Sequence, residues 1–205
     1  FCIFKEKRVT LVSGGIQLID EYDKSIGSKI PKINDSKNIF LSLLKKYEIY
    51  MPTVSLDLNY LRENNLNFDK IFSYCPDYKL FMTLSMNSKI FISEEIVAKY
   101  RIHENNLSKY ARKIIGIENM KVINSLELSA KNKINKDLKD GFLFAKSKAK
   151  ILISISLLAE GKRLKSIYSL ISNRPLKLKS VLLIFIIILP LPKDILIKII
   201  YSRRA

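Results

Sequence analysis

The polar residues with the clearest potential for chemistry occur in residues 100–108 (YRIHENNLS), a segment that contains the only histidine of the chain. The segment follows a run whose alternation is typical of a buried strand. A neutral imidazole can bind a metal ion or carry a proton, and His103 lies among other polar residues, Arg101 and Glu104 among them. A lone histidine is also a common structural hydrogen-bonding residue, so both interpretations of His103 remain open.

A second polar segment lies upstream, at residues 75–80 (CPDYKL). Proline is tolerated in the first turn of a helix, and a carboxylate near a helix start is stabilised by the helix dipole. Asp77 is therefore predicted to lie at a helix start, and this placement alone could explain it. If His103 follows the end of a strand, the two side chains could face one cleft.

The elements that must position these residues are predicted from the hydrophobic patterning. Strands are predicted at residues 9–13, 16–20, 89–92 and 96–102. Gly14 and Gly15 are predicted to break the first pair of strands, and the last strand delivers His103. Residues 51–55 are expected to be extended, because a residue before proline avoids the helical region.

Helices are predicted at residues 37–46, 58–63, 77–86, 111–128, 142–158 and 162–171. The first is expected to be capped by Asp35 or Ser36, and the charge-rich residues 131–140 are expected to form a solvated turn or helix end. Everything beyond residue 106 is helical, so the architecture is expected to change there. The predicted fold class is α/β followed by an all-α extension.

Composition limits the class of protein. An apolar fraction of 48% is sufficient for a packed core. The two cysteines, Cys2 and Cys75, lack metal-ligand spacing, which argues against a disulfide scaffold or a zinc site and fits a reducing compartment. No signal peptide is visible, because a charged run at residues 5–8 follows the first four residues. The net charge of +17 favours a polyanionic partner, either an anionic membrane surface or a nucleic acid.

The nucleic acid is the weaker alternative of these two. The ten tyrosines and ten phenylalanines lie mostly at periodic apolar positions, which is typical of core residues. The sequence contains no evident stacking platform or recognition motif. A nucleic-acid partner is therefore not favoured.

The C-terminal segment combines apolar runs with many basic residues. Residues 181–189 and 195–200 are almost entirely apolar, and both runs are shorter than the ~20 residues of a membrane-spanning helix. Between Gly161 and Ala205 there are ten basic residues and one acidic residue. Such helices suit the interface of an anionic leaflet, and ordinary packing in a helical bundle is the alternative.

Taken together, residues 9–108 resemble the acceptor half of an inverting family 2 glycosyltransferase with the GT-A fold. Three segments carry the resemblance, in the order of that family: residues 10–20 with 25–27; Phe68-Asp69 followed by residues 76–81 (PDYKLF); and residues 100–108. The second segment is similar to the family's FD…ED-Y-x-L element, and the third to its Y-R-x-H-x-x-N-x-S ending. The resemblance implies a partial GT-A-like mixed sheet with flanking helices.

The resemblance also implies roles for the matching positions. Asp77 matches the general base that takes the proton from an acceptor hydroxyl. His103 matches the histidine that helps to hold a divalent cation, Mn²⁺ or Mg²⁺, on the donor diphosphate. Ser55, Tyr78 and Arg101 are the expected acceptor-side residues.

The chain departs from the family pattern close to the expected base. Pro76 and Lys79 stand where Glu and a second acid are usual, which puts the polarity of the acceptor pocket in question. Arg101 also has a structural alternative, an ion pair with Glu94 or Glu95.

The nucleotide-binding half of such enzymes, with its Asp-x-Asp type metal site, has no match in this chain. Because the chain also starts with Phe rather than Met, we expect a fragment of a longer protein that is inactive by itself. The expected organisation is an acceptor-side half-domain at residues 1–106, a helical extension at 107–174 and basic apolar helices at the membrane surface at 175–205.

We therefore expect a glycosyltransferase that moves a sugar from a nucleotide-sugar donor to a cell-envelope polysaccharide or lipid-linked saccharide acceptor. Its expected location is cytoplasmic, peripheral at the inner face of the plasma membrane. A non-catalytic membrane-surface scaffold that keeps the second half of the fold is the alternative from another class of protein.

Overall fold

The computed structural model describes Phe4 and residues 8–32, 38–103, 106, 112–172, 178–189, 191–192, 194–196 and 200. The chain forms two compact units. The first comprises Phe1–Lys109 with Lys133–Gly141, and the second comprises Tyr110–Asn132 with Phe142–Ala205. The first unit is mixed α/β and the second is helical, which confirms the α/β class with flanking helices. The division into three parts stays a prediction.

The first unit is organised around one central strand. The strands are β1 (Leu11–Ile19), β2 (Ser25–Lys29), β3 (Ser55–Leu56) and β4 (Ile90–Arg101). β4 pairs in parallel with β1 along its length, from Leu11 opposite Ile90 to Ile19 opposite Arg101. β2 and β3 both pair antiparallel with β1, β3 at its start and β2 at its end. Since a strand has two edges, β2 and β3 share the edge that β4 does not occupy.

The predicted breaks within β1 and β4 were wrong, because each is one continuous strand. The β1–β4 register shifts between Ser13 and Gly15 and again between Gly15 and Ile16. A Cβ atom at Gly14 would lie 2.9 Å from the carbonyl oxygen of Glu95 and 2.9 Å from Val97 Cγ2. The two glycines therefore allow an irregular stretch of β4 to approach β1 and do not end the strand.

Three helices accompany this sheet: α1 (Ile39–Lys45), α2 (Leu58–Glu63) and α3 (Pro76–Asn87). The predictions for α2 and α3 are confirmed, α3 with one residue added at each end. Asp57 caps α2 by accepting hydrogen bonds from the backbone N–H groups of Asn59 and Tyr60. Helices α1 and α3 contact each other, and the fully buried side chains Leu43, Phe81 and Leu84 lie on them.

Two local predictions in this unit need correction. Helix α1 begins at Ile39, and its cap is Asn38, whose Oδ1 accepts a hydrogen bond from the Leu41 N–H at 3.0 Å. The expected caps at positions 35 and 36 lie outside the described residues. Residues Met51–Thr53 form a 3₁₀ turn and not an extended segment, because the missing N–H of Pro52 costs nothing in the first turn of a helix.

The second unit contains α4 (Arg112–Ser129), α6 (Arg163–Ile171), α7 (Leu178–Ile188) and most of α5 (Lys136–Ala159). Helix α5 begins earlier than predicted, because Asn135 caps it: its Oδ1 accepts from the Leu138 N–H at 2.9 Å. The charge-rich residues after Asn135 are therefore helical. The apolar core joins α5, α6, α7 and the segment after them through Ile155, Leu158, Leu170, Leu183, Ile187, Leu196 and Ile200.

No helix in the described part of the chain is long and apolar enough to cross a bilayer.

Candidate functional site

Asp77 is the second residue of α3, and its carboxylate is half-buried. Cys75 precedes the helix without a side-chain cap, and Pro76 occupies its first position. Burial raises the pKa of Asp77 above its usual value, while the N–H groups of Tyr78 and Asp77 itself partly counter the rise in that pKa. A carboxylate with a raised pKa is a stronger base than an exposed aspartate, as proton abstraction from a hydroxyl requires.

Two tyrosines lie beside this carboxylate. The rings of Tyr47 and Tyr78 pack edge to face, with centroids 4.9 Å apart and an interplanar angle of 74°. Burial and, second, the negative charge of Asp77 raise the pKa of the Tyr47 hydroxyl. Burial likewise raises the pKa of Tyr78, with Cys75 as the lesser cause. Both phenols are therefore neutral over the physiological range.

The hydroxyl oxygen of Tyr47 is buried, and within the described residues it has no hydrogen-bond partner. The sequence analysis missed this residue. Tyr47 follows α1, and Asp77 lies in the first turn of α3. Only the packing of those two helices brings the two residues together. No spacing or motif in the sequence links the two positions.

The loop before α3 is fixed by an ion pair between Lys79 Nζ and Asp69 Oδ2, at 2.5 Å. Asp69 also accepts a hydrogen bond from the Ile71 N–H at 3.0 Å, and Lys79 Nζ lies 5.2 Å from the centre of the Phe72 ring. The hydrogen bond from Lys79, with that from Ile71, lowers the pKa of Asp69. Lys79 thus holds this loop in place.

The end of β4 is organised by Asn106. Its Oδ1 accepts a hydrogen bond from the His103 N–H at 2.6 Å. Its Nδ2 donates to the Tyr100 hydroxyl at 3.0 Å and to the Arg101 carbonyl at 3.2 Å. Asn106 therefore connects three other residues of this segment, Tyr100, Arg101 and His103.

Arg101 secures the neighbouring turn between β1 and β2. Its guanidinium donates to Asp23 Oδ1 at 2.6 Å and to the carbonyl oxygens of Asp20 and Glu21 at 2.9 and 3.0 Å. The alternative pairing with Glu94 or Glu95 was wrong. An acceptor contact by Arg101 stays a prediction.

His103 is exposed two residues beyond the end of β4. Within the described residues, its imidazole makes no hydrogen bond, and no hydrogen bond or ion pair joins His103 to Asp77. Residues 88–89 connect the end of α3 to the start of β4. Asp77 lies at the other end of α3, and His103 follows the other end of β4. Their cooperation in one cleft stays a prediction.

Ser55 is exposed in the short strand β3, where its backbone pairs with Val12. A nearby residue that the sequence analysis missed, Thr53, carries more contacts. Its Oγ1 donates to the Tyr50 carbonyl at 2.7 Å, and it accepts from the Gly14 N–H at 3.1 Å and from the Ser13 hydroxyl at 2.8 Å. Thr53 thus supplies hydrogen-bond partners to Ser13 and Gly14, in the part of β1 that pairs with neither β3 nor β2.

A divalent cation, Mn²⁺ or Mg²⁺, is implied by the family resemblance, and His103 could supply one nitrogen ligand to it. Among the residues that the structure describes, no group of three or more His, Cys, Asp or Glu side chains could hold a metal ion. A complete coordination shell would need further oxygen ligands, such as those of a diphosphate.

No family model matches this chain, and neither the curated proteins nor the solved structures include a significant match to it.

Proposed function

We propose that this chain is the acceptor-side part of an inverting glycosyltransferase with a GT-A-like fold. The complete enzyme moves a sugar from a nucleotide-sugar donor to a saccharide or lipid-linked saccharide acceptor of the cell envelope. The observation that carries the proposal is the state of Asp77, a half-buried carboxylate with a raised pKa at a helix start, next to two neutral tyrosines. The family-like segments around it support the same conclusion.

The proposed reaction forms a bond between an acceptor oxygen and the anomeric carbon of the donor sugar. The bond between that carbon and the diphosphate oxygen breaks, and the electron pair leaves with the nucleoside diphosphate. Asp77 receives the proton of the acceptor hydroxyl. Attack from the face opposite the leaving group inverts the configuration at the anomeric carbon.

The other residues have supporting roles in this proposal. Tyr47 and Tyr78 exclude water from one side of the carboxylate and keep its pKa raised. Asn106 positions the backbone of His103, whose exposed imidazole is available to the donor diphosphate. A divalent cation, when bound, would neutralise negative charge on the leaving diphosphate.

The test is a transfer assay on the polypeptide expressed from the complete reading frame that contains these residues. Nucleoside diphosphate release is measured with a panel of UDP-, GDP- and dTDP-sugars and a membrane extract as acceptor source. We expect Asp77→Asn to lower the rate by about 10²- to 10⁴-fold, the usual contribution of a general base.

The matched control is Asp57→Asn. Asp57 is also an aspartate at a helix start, and asparagine is an equally good cap, so both substitutions preserve the helices. We expect the control to keep the wild-type rate. Equal rates for the wild type and Asp77→Asn, or no release with any donor, contradict the proposal.

A non-catalytic scaffold is the second candidate, and Lys79 favours it. The family position with a common second acid is occupied here by a lysine that is paired with Asp69. DNA sequence upstream of the Phe1 codon separates the candidates. An in-frame continuation of roughly 90–110 residues with an Asp-x-Asp motif supports the enzyme, and a stop codon there supports the scaffold.

A further inference from the structure

Helix α6 exposes an apolar stripe. Leu164 and Tyr168 are 83% and 74% exposed, and Ile171 is exposed as well. These residues are spaced four and three positions apart, so they lie on one side of the helix. The opposite side carries Ser166 and Leu170, which are buried.

The rotation of α6 about its axis is fixed by buried hydrogen bonds. The hydroxyl of Ser166 donates to the carbonyl of Ser154 in α5 at 2.8 Å, and the two serine hydroxyls lie 2.8 Å apart. Because a buried hydroxyl without a partner is costly, α6 cannot rotate to hide Leu164 and Tyr168. The exposure of these two side chains is therefore fixed by the packing of α6 against α5.

Helix α7 is apolar on both sides. Leu183 and Ile187 are buried in the core of the second unit. A second set of side chains on α7 is exposed: Leu182, Phe185 and Ile188, with Phe185 67% exposed. These lie three residues apart and form a stripe of their own. Packing in a helical bundle accounts for the first set and leaves the second unexplained.

The sequence that contains these stripes is strongly basic. Between Gly161 and Ala205 the chain has ten basic residues and one acidic residue. Lys162 and Lys165, on either side of Leu164, are exposed. Lys162 also forms an ion pair with Glu160 at 2.8 Å. An apolar stripe with basic neighbours is complementary to a bilayer surface with anionic headgroups, where the apolar side chains enter the acyl boundary and the lysines contact phosphates.

We propose that the exposed faces of α6 and α7, carrying Leu164, Tyr168, Ile171, Leu182, Phe185 and Ile188, dock this protein on an anionic lipid membrane. The helices lie in the interface and do not cross it. This inference does not rest on the proposed glycosyl transfer, and it holds for an enzyme and for a scaffold alike.

The first experiment is vesicle sedimentation of the full chain, with vesicles of pure phosphatidylcholine and vesicles that also contain phosphatidylglycerol. We expect binding to the anionic vesicles and much weaker binding to the neutral ones. Leu164→Ser with Tyr168→Ser, and Phe185→Ser separately, should each lower the partition coefficient about tenfold or more, because each removes a large apolar side chain from the bilayer. Circular dichroism checks that each variant keeps its helices.

Matched control substitutions are available in the first unit. Ile71 and Tyr22 are 79% and 88% exposed, so Ile71→Ser with Tyr22→Ser removes comparable apolar surface at positions outside α6 and α7. We expect this control to bind vesicles as the wild type does. Equal losses for the control and the Leu164 and Tyr168 variant would overturn the proposal.

The second experiment tests the basic residues. Lys162→Gln with Lys165→Gln should weaken binding to anionic vesicles more than tenfold, since each lysine near such a surface contributes to attraction. Lys136→Gln with Lys139→Gln removes the same charge from exposed positions at the start of α5, and we expect a small change.

The same experiments also test two other partners, a nucleic acid and a second copy of this chain. If duplex DNA competes fully with vesicles and the serine variants bind both as the wild type does, the basic residues serve a nucleic acid and the proposal fails. If light scattering shows a dimer that Phe185→Ser dissociates, while vesicle binding is unaffected, the stripe is an interface between two copies and the proposal also fails.

Discussion

Two aspartates near the start of α3 have opposite electrostatic environments. Asp77 is half-buried, and burial raises its pKa. Asp69 is paired with Lys79, and the hydrogen bonds that it accepts lower its pKa. A group with a raised pKa in the folded state favours folding when it is protonated, and one with a lowered pKa favours folding when it is ionised. The two residues should therefore affect the pH dependence of stability in opposite directions.

We expect Asp77→Asn to be more stable than the wild type at pH 7. At pH values below 3.8, the usual pKa of an aspartate, the carboxyl is protonated in both states and the difference vanishes. As the pH rises through the raised pKa, the wild type loses stability that the variant keeps. The measurement is the thermal unfolding midpoint of both proteins between pH 3 and pH 8.

Asp69→Asn is the companion variant. It should be less stable than the wild type at pH 7, and the difference should disappear as the pH falls through the lowered pKa of Asp69. If both variants shift the midpoint in the same direction at pH 7, the assigned environments of the two carboxyl groups are wrong.

At the residue scale, the sequence predicted some parts of this site and missed others for physical reasons. The local pattern of Pro followed by Asp predicted that Asp77 lies at a helix start, and the structure places Asp77 in the first turn of α3. Tyr47 contributes to the site through contacts that connect distant parts of the chain, and no local pattern encodes them. For Arg101 the local sequence suggested an ion pair with Glu94 or Glu95, whereas Asp23 reaches it from the turn after β1.

At the scale of elements, the approach of β4 to β1 depends on the absence of a side chain at Gly14. A methyl group there would meet the carbonyl oxygen of Glu95, a backbone atom that cannot move independently, as well as Val97. We expect Gly14→Ala to lower the free energy of unfolding by about 1–3 kcal/mol, the usual cost of overpacking. Urea unfolding measures the loss.

A double-mutant cycle with Val97→Ala gives the control. Val97 is exposed, so its truncation alone should cost little, and in the double variant it should recover part of the loss by removing one of the two clashes. The carbonyl oxygen remains in place, so recovery should be incomplete. Full additivity of the two substitutions would show that Val97 does not contact the new methyl group.

Helix α2 was easier to predict than strand β4, and the difference has a physical cause. Helix α2 has an unambiguous cap at Asp57, and its predicted bounds match the observed ones. Residues 93–95 (SEE) interrupt the apolar alternation of β4, and such a polar run predicts a turn. The strand nevertheless continues there, because hydrogen bonding to β1 resumes at Ile96 after a shift of register. Pairing with a distant partner overrides the local pattern.

At the scale of the whole molecule, the net charge of +17 is the dominant electrostatic property. Like charges repel one another more in the compact state than in the unfolded chain. We expect the unfolding midpoint to rise when NaCl is increased from 20 to 300 mM, because the Debye length shortens from roughly 20 Å to roughly 6 Å.

Sodium sulfate at matched ionic strength is the control for this expectation. Screening depends on ionic strength, so a similar rise with both salts supports self-repulsion as the cause. A rise with sulfate and none with chloride would show that a sulfate-specific effect, either binding or exclusion from the protein surface, stabilises the fold and that screening does not.

The parallel pairing of β1 with β4 also determines when the sheet can form during synthesis. Thr10 and Lys89, which hydrogen-bond at the start of that pairing, are 79 positions apart. At the usual rate of translation, β1 leaves the ribosome roughly 4–16 seconds before β4 leaves it. During that interval, one edge of β1 presents unpaired N–H and C=O groups to any other strand. We therefore expect the nascent chain to be most prone to aggregation in the interval before Arg101 has emerged.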